Sequence, residues 1–160
     1  MGWLVALIVI GLDQLTKWVI LERIMQPPRV ITVLPVFDLV LAWNRGISFS
    51  LLHSDGGVAP LILSALALAI VAGLGFWLSR AGRLVLVLAI GLVIGGALGN
   101  VIDRLRFGAV IDFLYFHIAS YYWPAFNLAD SAITVGVMIM LIDGLSGGSE
   151  RAKKTPDTGG

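Results

Sequence analysis

The side chains with the clearest capacity for chemistry in this sequence are the aspartates Asp103, Asp112 and Asp130. Asn100 precedes the first of them and Asn127 precedes the last, each by three residues. Two carboxylates held a few ångströms apart cannot both ionise, so they share one proton. The ionised member can take a proton from water while the other donates to a carbonyl oxygen. A pair of these aspartates therefore predicts hydrolysis of an amide without metal or cysteine.

The surroundings of the aspartates predict a division of labour. Asp112 stands between Ile111 and Phe113, and loss of water there is expected to raise its pKa. Asp130 falls in the first turn of a predicted helix, where the helix dipole favours the anion. The titration still belongs to the pair rather than to either residue. Asp103 is the rival for the second position, although its neighbour Arg104 favours a salt-bridged supporting role.

Other catalytic chemistries find little support. The sequence contains no cysteine and only two histidines, His53 and His117, neither beside a serine in a nucleophile turn. A pair of Ser48 and Lys17 is conceivable, but Asp13 competes for that lysine. Neither a zinc-binding His-Glu-x-x-His motif nor a phosphate-binding loop occurs. We therefore expect no metal and no cofactor.

The remaining polar motifs each have a structural explanation as well as a functional one. Asp13 and Lys17 are four residues apart on a helix, so they can form a salt bridge or serve function. Asn44 and Gly46 are typical of a turn that ends a hairpin. Asn127 suits a helix N-cap, which would make Asp130 the acid of a capping box. Function is favoured because three separate segments bring costly charges to one membrane face.

The composition indicates how these residues are held. Of the 160 residues, 58% are hydrophobic and only 13% are charged, with a net charge of +1. Soluble domains carry about 25% charged residues, so this chain is predicted to be an integral membrane protein and not a soluble enzyme. The near-zero net charge gives no indication of nucleic-acid binding.

Four apolar stretches have the ~20 residues that a membrane-spanning helix needs. They run from Trp3 to about Leu21, and over 58–78, 84–102 and 128–145. In the connection between the first two, residues 30–33 and 38–43 flank Pro35 and predict two short strands. The fold class is thus all-α, four transmembrane helices with a small β-sheet between helices 1 and 2. Residues 1–145 form a single domain, and 146–160 are expected to be a disordered tail.

Three further features bear on assembly. Gly91, Gly95 and Gly99 recur at four-residue spacing, which predicts a face for close helix packing. Four spans put both termini on one side, with five Lys and Arg there and six on the other. The denser basic clusters of the loop and tail favour cytoplasmic termini. The informative polar residues then gather at the opposite membrane face.

Five motifs, in this order and with four spans, resemble bacterial lipoprotein signal peptidase (signal peptidase II). They are Asp13-Gln14-x-x-Lys17, Asn44-x-Gly46-x-Ser48-Phe49, Gly95-Gly96-x-x-Gly99-Asn100-x-x-Asp103-Arg104, Val110-x-Asp112-Phe113 and Phe126-Asn127-x-Ala129-Asp130. Each motif alone is weak, but the set is specific and covers about Leu4 to Leu145. Ser48 is a mild departure, since the family often has Ala there.

The resemblance implies an aspartic endopeptidase of the bacterial inner membrane, with cytoplasmic termini and an active site near the outer face. It would remove the signal peptide of prolipoproteins just before a cysteine that carries a diacylglyceryl group. The catalytic pair falls on Asp112 and Asp130. Supporting positions fall on Asp13, Lys17, Asn44, Gly46, Asn100, Asp103, Arg104, Asn127 and Ala129. The resemblance also implies an extracytoplasmic β-cradle and inhibition by the cyclic peptide globomycin, and we expect a monomer in contact with membrane lipids.

Two other functions remain open at this stage. A small transporter could be lined by Asp13, Lys17, Asp103 and Asp130, because ionisable residues in spans often mark pathways. Against it, the inner halves of the spans carry no charge except Asp143. A purely structural membrane subunit would tolerate replacement of single aspartates by Asn with effects on stability alone.

Overall fold

A computed structural model describes residues 1–46 and 58–153, with side chains described through Ser146. It contains four long helices: α1 (Gly2–Val19), α2 (Val58–Leu78), α3 (Leu84–Phe107) and α4 (Leu128–Lys153). All four are long and apolar enough to span a membrane, which confirms the predicted fold class. Ser48 and Phe49 of the second motif lie outside the described residues.

The helix ends differ from the predicted ones. A π-helical turn, Ile20–Ile24, continues α1. Helix α3 runs five residues past Ile102 and ends at Gly108, whose φ of +68° is the left-handed conformation that stops a helix. Helix α4 continues to Lys153, so the segment predicted to be disordered from Ser146 is helical over its first part. Residues 150–153 are Glu, Arg, Ala and Lys, all good helix formers, whereas Gly147 and Gly148 before them are poor ones.

Helix α3 is the centre of the helical bundle. Within the apolar 18-residue stretch of each helix, 61% of the residues are buried in α3, whereas 17% are buried in α2 and 17% in α4. A Cβ on Gly95 would stand 2.7 Å from the Cβ of Val9 in α1, and one on Gly96 would collide with the carbonyl of Ala129 in α4. The predicted glycine face therefore packs closely against neighbouring helices, with Gly91 and Gly95 facing α1.

The extramembrane sheet is larger than predicted. It has four antiparallel strands in the order β1 (Ile31–Leu34), β2 (Phe37–Asn44), β3 (Val110–Ile118) and β4 (Tyr121–Tyr122). The first two are the predicted strands, whereas β3 and β4 come from the connection between α3 and α4. That connection is rich in β-branched and aromatic residues, which favour strands and also suit a membrane interface. Strand β3 pairs with β2, and β4 pairs in turn with β3, so their backbone groups find partners.

Two contacts hold β3 in place relative to the helices. Phe113 packs with Ile20 and Met25 at the end of α1 in one hydrophobic cluster. Farther along β3, Leu114 exchanges backbone hydrogen bonds of 2.8 and 3.0 Å with Phe126. Because Phe126 directly precedes Asn127, the start of α4 lies beside the strand that carries Asp112.

Candidate active site

A cluster of buried polar side chains lies where the sheet meets the helix ends. Each of five elements contributes to it: α1, β2, α3, β3 and α4. Its fully buried members are listed here: Asp13, Lys17, Asn100, Asp103, Asp112 and Asn127. Polar groups removed from water to this degree must satisfy one another, so their contacts define the site.

Lys17 is the positive centre of the cluster. Its Nζ lies 2.8 Å from Asp13 and 2.7 Å from Asp103, and it donates to Asn100 Oδ1 at 3.1 Å. The predicted pair on α1 therefore forms, but it belongs to a larger network. An ammonium has three protons, and each has an acceptor here.

Asp103 is committed to structural contacts. Besides Lys17, its carboxylate accepts the backbone N–H of Ile111 at 3.2 Å and the side-chain amide of Gln14 at 2.9 Å. Asp103 is salt-bridged, as expected, but among the described residues its partner is Lys17 from another helix and not the neighbouring Arg104. Gln14, which also donates to Gly99 O at 3.3 Å, is missing from the predicted site set. Its position beside Asp13 in the first motif was the available signal.

Asn127 and Asp130 form the capping box that their spacing predicts. The side-chain oxygen of Asn127 accepts the backbone N–H of Asp130 at 2.9 Å. In return, Asp130 Oδ2 accepts the backbone N–H of Asn127 at 3.2 Å. The helix start thus fixes both side chains, and it leaves Asp130 Oδ1 for a 2.8 Å contact from Asn100 Nδ2.

Asp112 accepts two side-chain amides, one on each oxygen. Asn127 Nδ2 donates to Oδ1 at 2.7 Å, and Asn44 Nδ2 donates to Oδ2 at 3.0 Å. Burial nevertheless dominates and raises the pKa of Asp112 to about 6; the two amides oppose that rise, and the nearby Asp130 adds to it. Asp112 can therefore carry a proton close to neutral pH, as its apolar neighbours predicted.

The sheet register aligns Asn44 with Asp112. Asn44 pairs with Val110 and Ala42 pairs with Asp112, so the two polar side chains are diagonal neighbours on one face. Beyond the strand, Asn44 Oδ1 accepts the backbone N–H of Gly46 at 3.0 Å. Gly46 adopts a φ of +104°, which favours glycine. The turn predicted at Asn44 and Gly46 therefore also orients the Asn44 amide that contacts Asp112.

Arg104 and Ala129 complete the predicted set. The guanidinium of Arg104 lies near Asp130, Asp103 and Asp112, and its buried Nε has no hydrogen-bond partner among the described residues. Ala129 is fully buried, and its backbone N–H donates to Asp13 Oδ1 at 3.1 Å. That bond ties the start of α4 to α1, and Ala129 also lies against Gly96 and Gly99 of α3.

The arrangement suits shared-proton chemistry. Asp112 and Asp130 are joined through Asn127, and every carboxylate oxygen of the two accepts an N–H group. A metal centre is not indicated, because the described residues hold no cluster of three or more His, Asp or Glu placed to bind an ion. The charged groups of the cluster lie at one end of the bundle, and the Arg83–Asp143 pair is a separate ion pair between α3 and α4.

Comparison with known proteins shows the family of this chain. The family model described as signal peptidase (SPase) II matches residues 5–146. A lipoprotein signal peptidase of Azoarcus sp. (strain BH72) is 50% identical over 97% of this chain and 89% of its own length. One from Beijerinckia indica subsp. indica is 42% identical over 100% of this chain and 96% of its own length.

Solved structures give the same result at the level of the fold. A bacterial membrane enzyme determined by the in meso method at 2.3 Å resolution superposes with a TM-score of 0.81 at 30% identity. That match covers 98% of this chain and 94% of the other. With the four spans, the acidic cluster and these relatives taken together, the chain belongs to the signal peptidase II family and is a membrane-embedded peptidase.

Proposed function

We propose that this peptidase removes signal peptides from diacylglyceryl-modified prolipoproteins and cuts just before the lipidated cysteine. The observation that carries the proposal is the shared contact of Asp112 and Asp130 with Asn127. It keeps two carboxyl groups together, and in the part of the chain that the structure describes neither forms a salt bridge with a cation. The names of the relatives supply the substrate class.

Asp112 and Asp130 are the catalytic residues in this proposal. Asp130, ionised, takes a proton from water as the hydroxide adds to the scissile carbonyl carbon, and Asp112 gives its proton to the carbonyl oxygen. When the tetrahedral intermediate collapses, Asp130 returns its proton to the leaving nitrogen and the C–N bond breaks. Asp112 recovers its proton from the hydroxyl that becomes the new carbonyl. One water is consumed, and the pair ends as it began.

The other predicted residues hold this pair. Asn44 and Asn127 orient Asp112, whereas Asn100 orients Asp130. The helices α1, α3 and α4 that support the pair are connected by contacts of Asp13, Lys17, Asp103 and Ala129. The backbone N–H of Gly46 holds the side chain of Asn44. The guanidinium of Arg104 lies near both aspartates of the pair and carries N–H donors alone, so it is suited to bind a carbonyl oxygen of the substrate.

The location follows from the same reasoning. We place the protein in the bacterial inner membrane with cytoplasmic termini and the site at the outer surface. Exposed Tyr121, Tyr122 and Trp123, in and just after β4, support a position of the sheet at a membrane interface, because Tyr and Trp favour such interfaces. A diacyl anchor would hold the cleavage site at that depth and replace a search in three dimensions. We further propose that the protein acts as a monomer and is inhibited by globomycin.

The test is a gel-shift assay of a lipidated prolipoprotein in detergent or liposomes. We expect Asp112→Asn and Asp130→Asn to lose processing while the protein still inserts and folds. Cleavage at a near wild-type rate by either variant would show that the pair is assigned wrongly. If Asp103→Asn is inactive while Asp112→Asn is active, Asp103 is the catalytic partner. Activity in all three would favour the structural-subunit alternative, and no observation favours the transporter.

A further inference from the structure

We propose that Lys17 is a positioning residue for the reaction, because its bond to Asn100 determines which end of that amide faces Asp130. The inference rests on the proposed function. It assigns Lys17 a role beyond neutralising buried aspartates. The ammonium determines that Asn100 donates, and does not accept, in its hydrogen bond to Asp130 on another helix.

The first step concerns the orientation of the Asn100 amide. An ammonium can only donate, so the Asn100 atom that lies 3.1 Å from Lys17 Nζ must be the carbonyl oxygen. The same oxygen also accepts the amide of Asn127 at 3.2 Å. With two donors on one end, the amide cannot turn over without placing donor against donor, which is costly in a buried site.

The second step concerns Asp130. Because the oxygen of Asn100 faces Lys17, its NH₂ group must face Asp130, where Nδ2 lies 2.8 Å from Oδ1. An NH₂ group can only donate, so this contact requires Asp130 Oδ1 to present a lone pair. Lys17 thus determines that Asn100 presents a donor to the residue that takes the proton from water in the proposed mechanism.

The three asparagine side chains of the site differ in what holds their oxygens. The ammonium of Lys17 is the charged group among these donors, and a mutation can remove it. Asn44 is held by the backbone N–H of Gly46, and Asn127 by the backbone N–H of Asp130. Only Asn100 has its oxygen held by a charged side chain, which lies on α1 and contacts neither aspartate of the catalytic pair in the hydrogen bonds of the described residues.

The main experiment compares Lys17→Met/Asp103→Asn with Asp103→Asn alone. Wild type carries two carboxylates and one ammonium around Lys17, a charge of −1, and the double variant keeps that charge through Asp13. The single variant keeps Lys17 and its bond to Asn100. We expect the double variant to have a kcat about tenfold to a hundredfold below that of the single variant. KM should stay within about twofold, because the lost contact orients Asp130 and does not bind substrate.

The pH profile supplies a second measurement. The charged groups that face Asp112 are Lys17 on α1, Arg104 on α3 and Asp130 on α4, and the charge of Lys17 lowers the pKa of Asp112. The basic limb of kcat/KM should therefore move to higher pH in the double variant relative to Asp103→Asn. This shift reports the charge of Lys17 on Asp112, whereas kcat reports the orientation of Asn100. Equal kcat in the two variants at pH values where Asp112 is protonated in both would overturn the proposal and leave Lys17 a neutralising group alone.

Asn100→Asp decides the question if the double variant does not fold. The change keeps the shape and the Lys17 contact but replaces the N–H donor to Asp130 with oxygen. We expect a thermal midpoint within a few degrees of wild type and a loss of about 100-fold in kcat at neutral pH. Activity should recover in part on acidification, because a protonated carboxyl can donate again. A wild-type kcat at neutral pH would overturn the proposal.

Failure of the proposed function has a different signature. If the wild-type protein does not cut a lipidated peptide, the proposed function falls. The positioning role remains testable by NMR of the Asn100 side-chain amide in nanodiscs. We expect its proton shifts to follow the titration of the carboxyl pair in Asp103→Asn but not in Lys17→Met/Asp103→Asn. Identical titration curves in both would overturn the positioning role.

Discussion

The side-chain amide of Asn127 donates to Asp112 Oδ1 over 2.7 Å. The same residue begins α4, so one asparagine both starts a membrane helix and connects the catalytic pair. These two duties can be separated by mutation, since a helix cap needs a hydrogen-bond acceptor whereas the contact with Asp112 needs a donor from an amide.

Asn127→Ser is therefore expected to keep the helix and lose the reaction. Serine caps a helix about as well as asparagine, so the thermal midpoint should fall by no more than a few degrees. The short hydroxyl cannot cap α4 and bridge to Asp112 together, and kcat should fall about 100-fold. Asn127→Ala is the control, and should lose a further ~1 kcal/mol of stability with the cap. Wild-type processing by Asn127→Ser would contradict the bridging role.

The raised pKa of Asp112 makes activity and stability depend on pH. The mechanism needs Asp112 protonated, so kcat/KM should fall as pH rises, with a basic midpoint of about 6 in the free enzyme. Substrate removes further water from the site, so the basic limb of kcat should lie at higher pH. Steady-state rates on a lipidated peptide from pH 4 to 9 measure both. A profile flat to pH 9 would exclude Asp112 as the acid.

The stability effect has the opposite sign from that of a salt-bridged aspartate. Because the folded-state pKa exceeds the unfolded value of 3.8, the folded protein binds more protons, and stability falls as pH rises from about 4 to about 6. The full effect is on the order of 3 kcal/mol. Thermal midpoints in detergent should decline across that window, and the decline should be shallower in Asp112→Asn. Parallel curves for the two proteins would assign the effect to other groups.

Gly46 and Gly108 allow a matched test of the Asn44 contact. Both have positive φ, so alanine at either costs on the order of 1 kcal/mol in backbone strain. At Gly46 a Cβ would also stand 2.5 Å from Leu63 Cδ1, and the N–H that holds Asn44 would move. We expect kcat to fall about tenfold in Gly46→Ala and to stay within about twofold in Gly108→Ala, which has no atom within 4 Å of the new Cβ. Equal losses would mean that strain alone is responsible.

Gly95 and Gly73 provide the corresponding test for helix packing. Gly95→Ala forces α3 away from Val9 of α1 and should cost about 1–3 kcal/mol, measured as a lower thermal midpoint. Gly73→Ala meets nothing within 4 Å and should be neutral or stabilising by up to about 1 kcal/mol, because alanine favours a helix. A loss of stability in Gly73→Ala equal to that in Gly95→Ala would argue against the glycine face.

The sequence predicted best where chemistry is local. The capping box of Asn127 and Asp130, the pair of Asp13 and Lys17, and the raised pKa of Asp112 all depend on neighbours within a few residues. The four spans were predictable because lipid allows helices and little else.

Contacts between distant segments were not predictable. Sequence proximity suggested Arg104 as the partner of Asp103, but Lys17 arrives from 86 positions earlier because the glycine face lets α1 and α3 approach closely. Strand β3 was overlooked since its aromatic residues also suit an interface, and only the presence of β2 makes it a strand. The number of strands depends on pairing, which single segments do not encode.

The bond between Ala129 N–H and Asp13 joins residues 116 positions apart, and it has a consequence for biogenesis. A chain that has emerged only as far as β3 already carries Asp112, but it lacks Asp130, Asn127 and the anchor for Asp13. The catalytic pair exists only after the last span has inserted and closed on the first. A half-inserted protease is therefore inactive, and full insertion into the bilayer acts as the step that matures the enzyme.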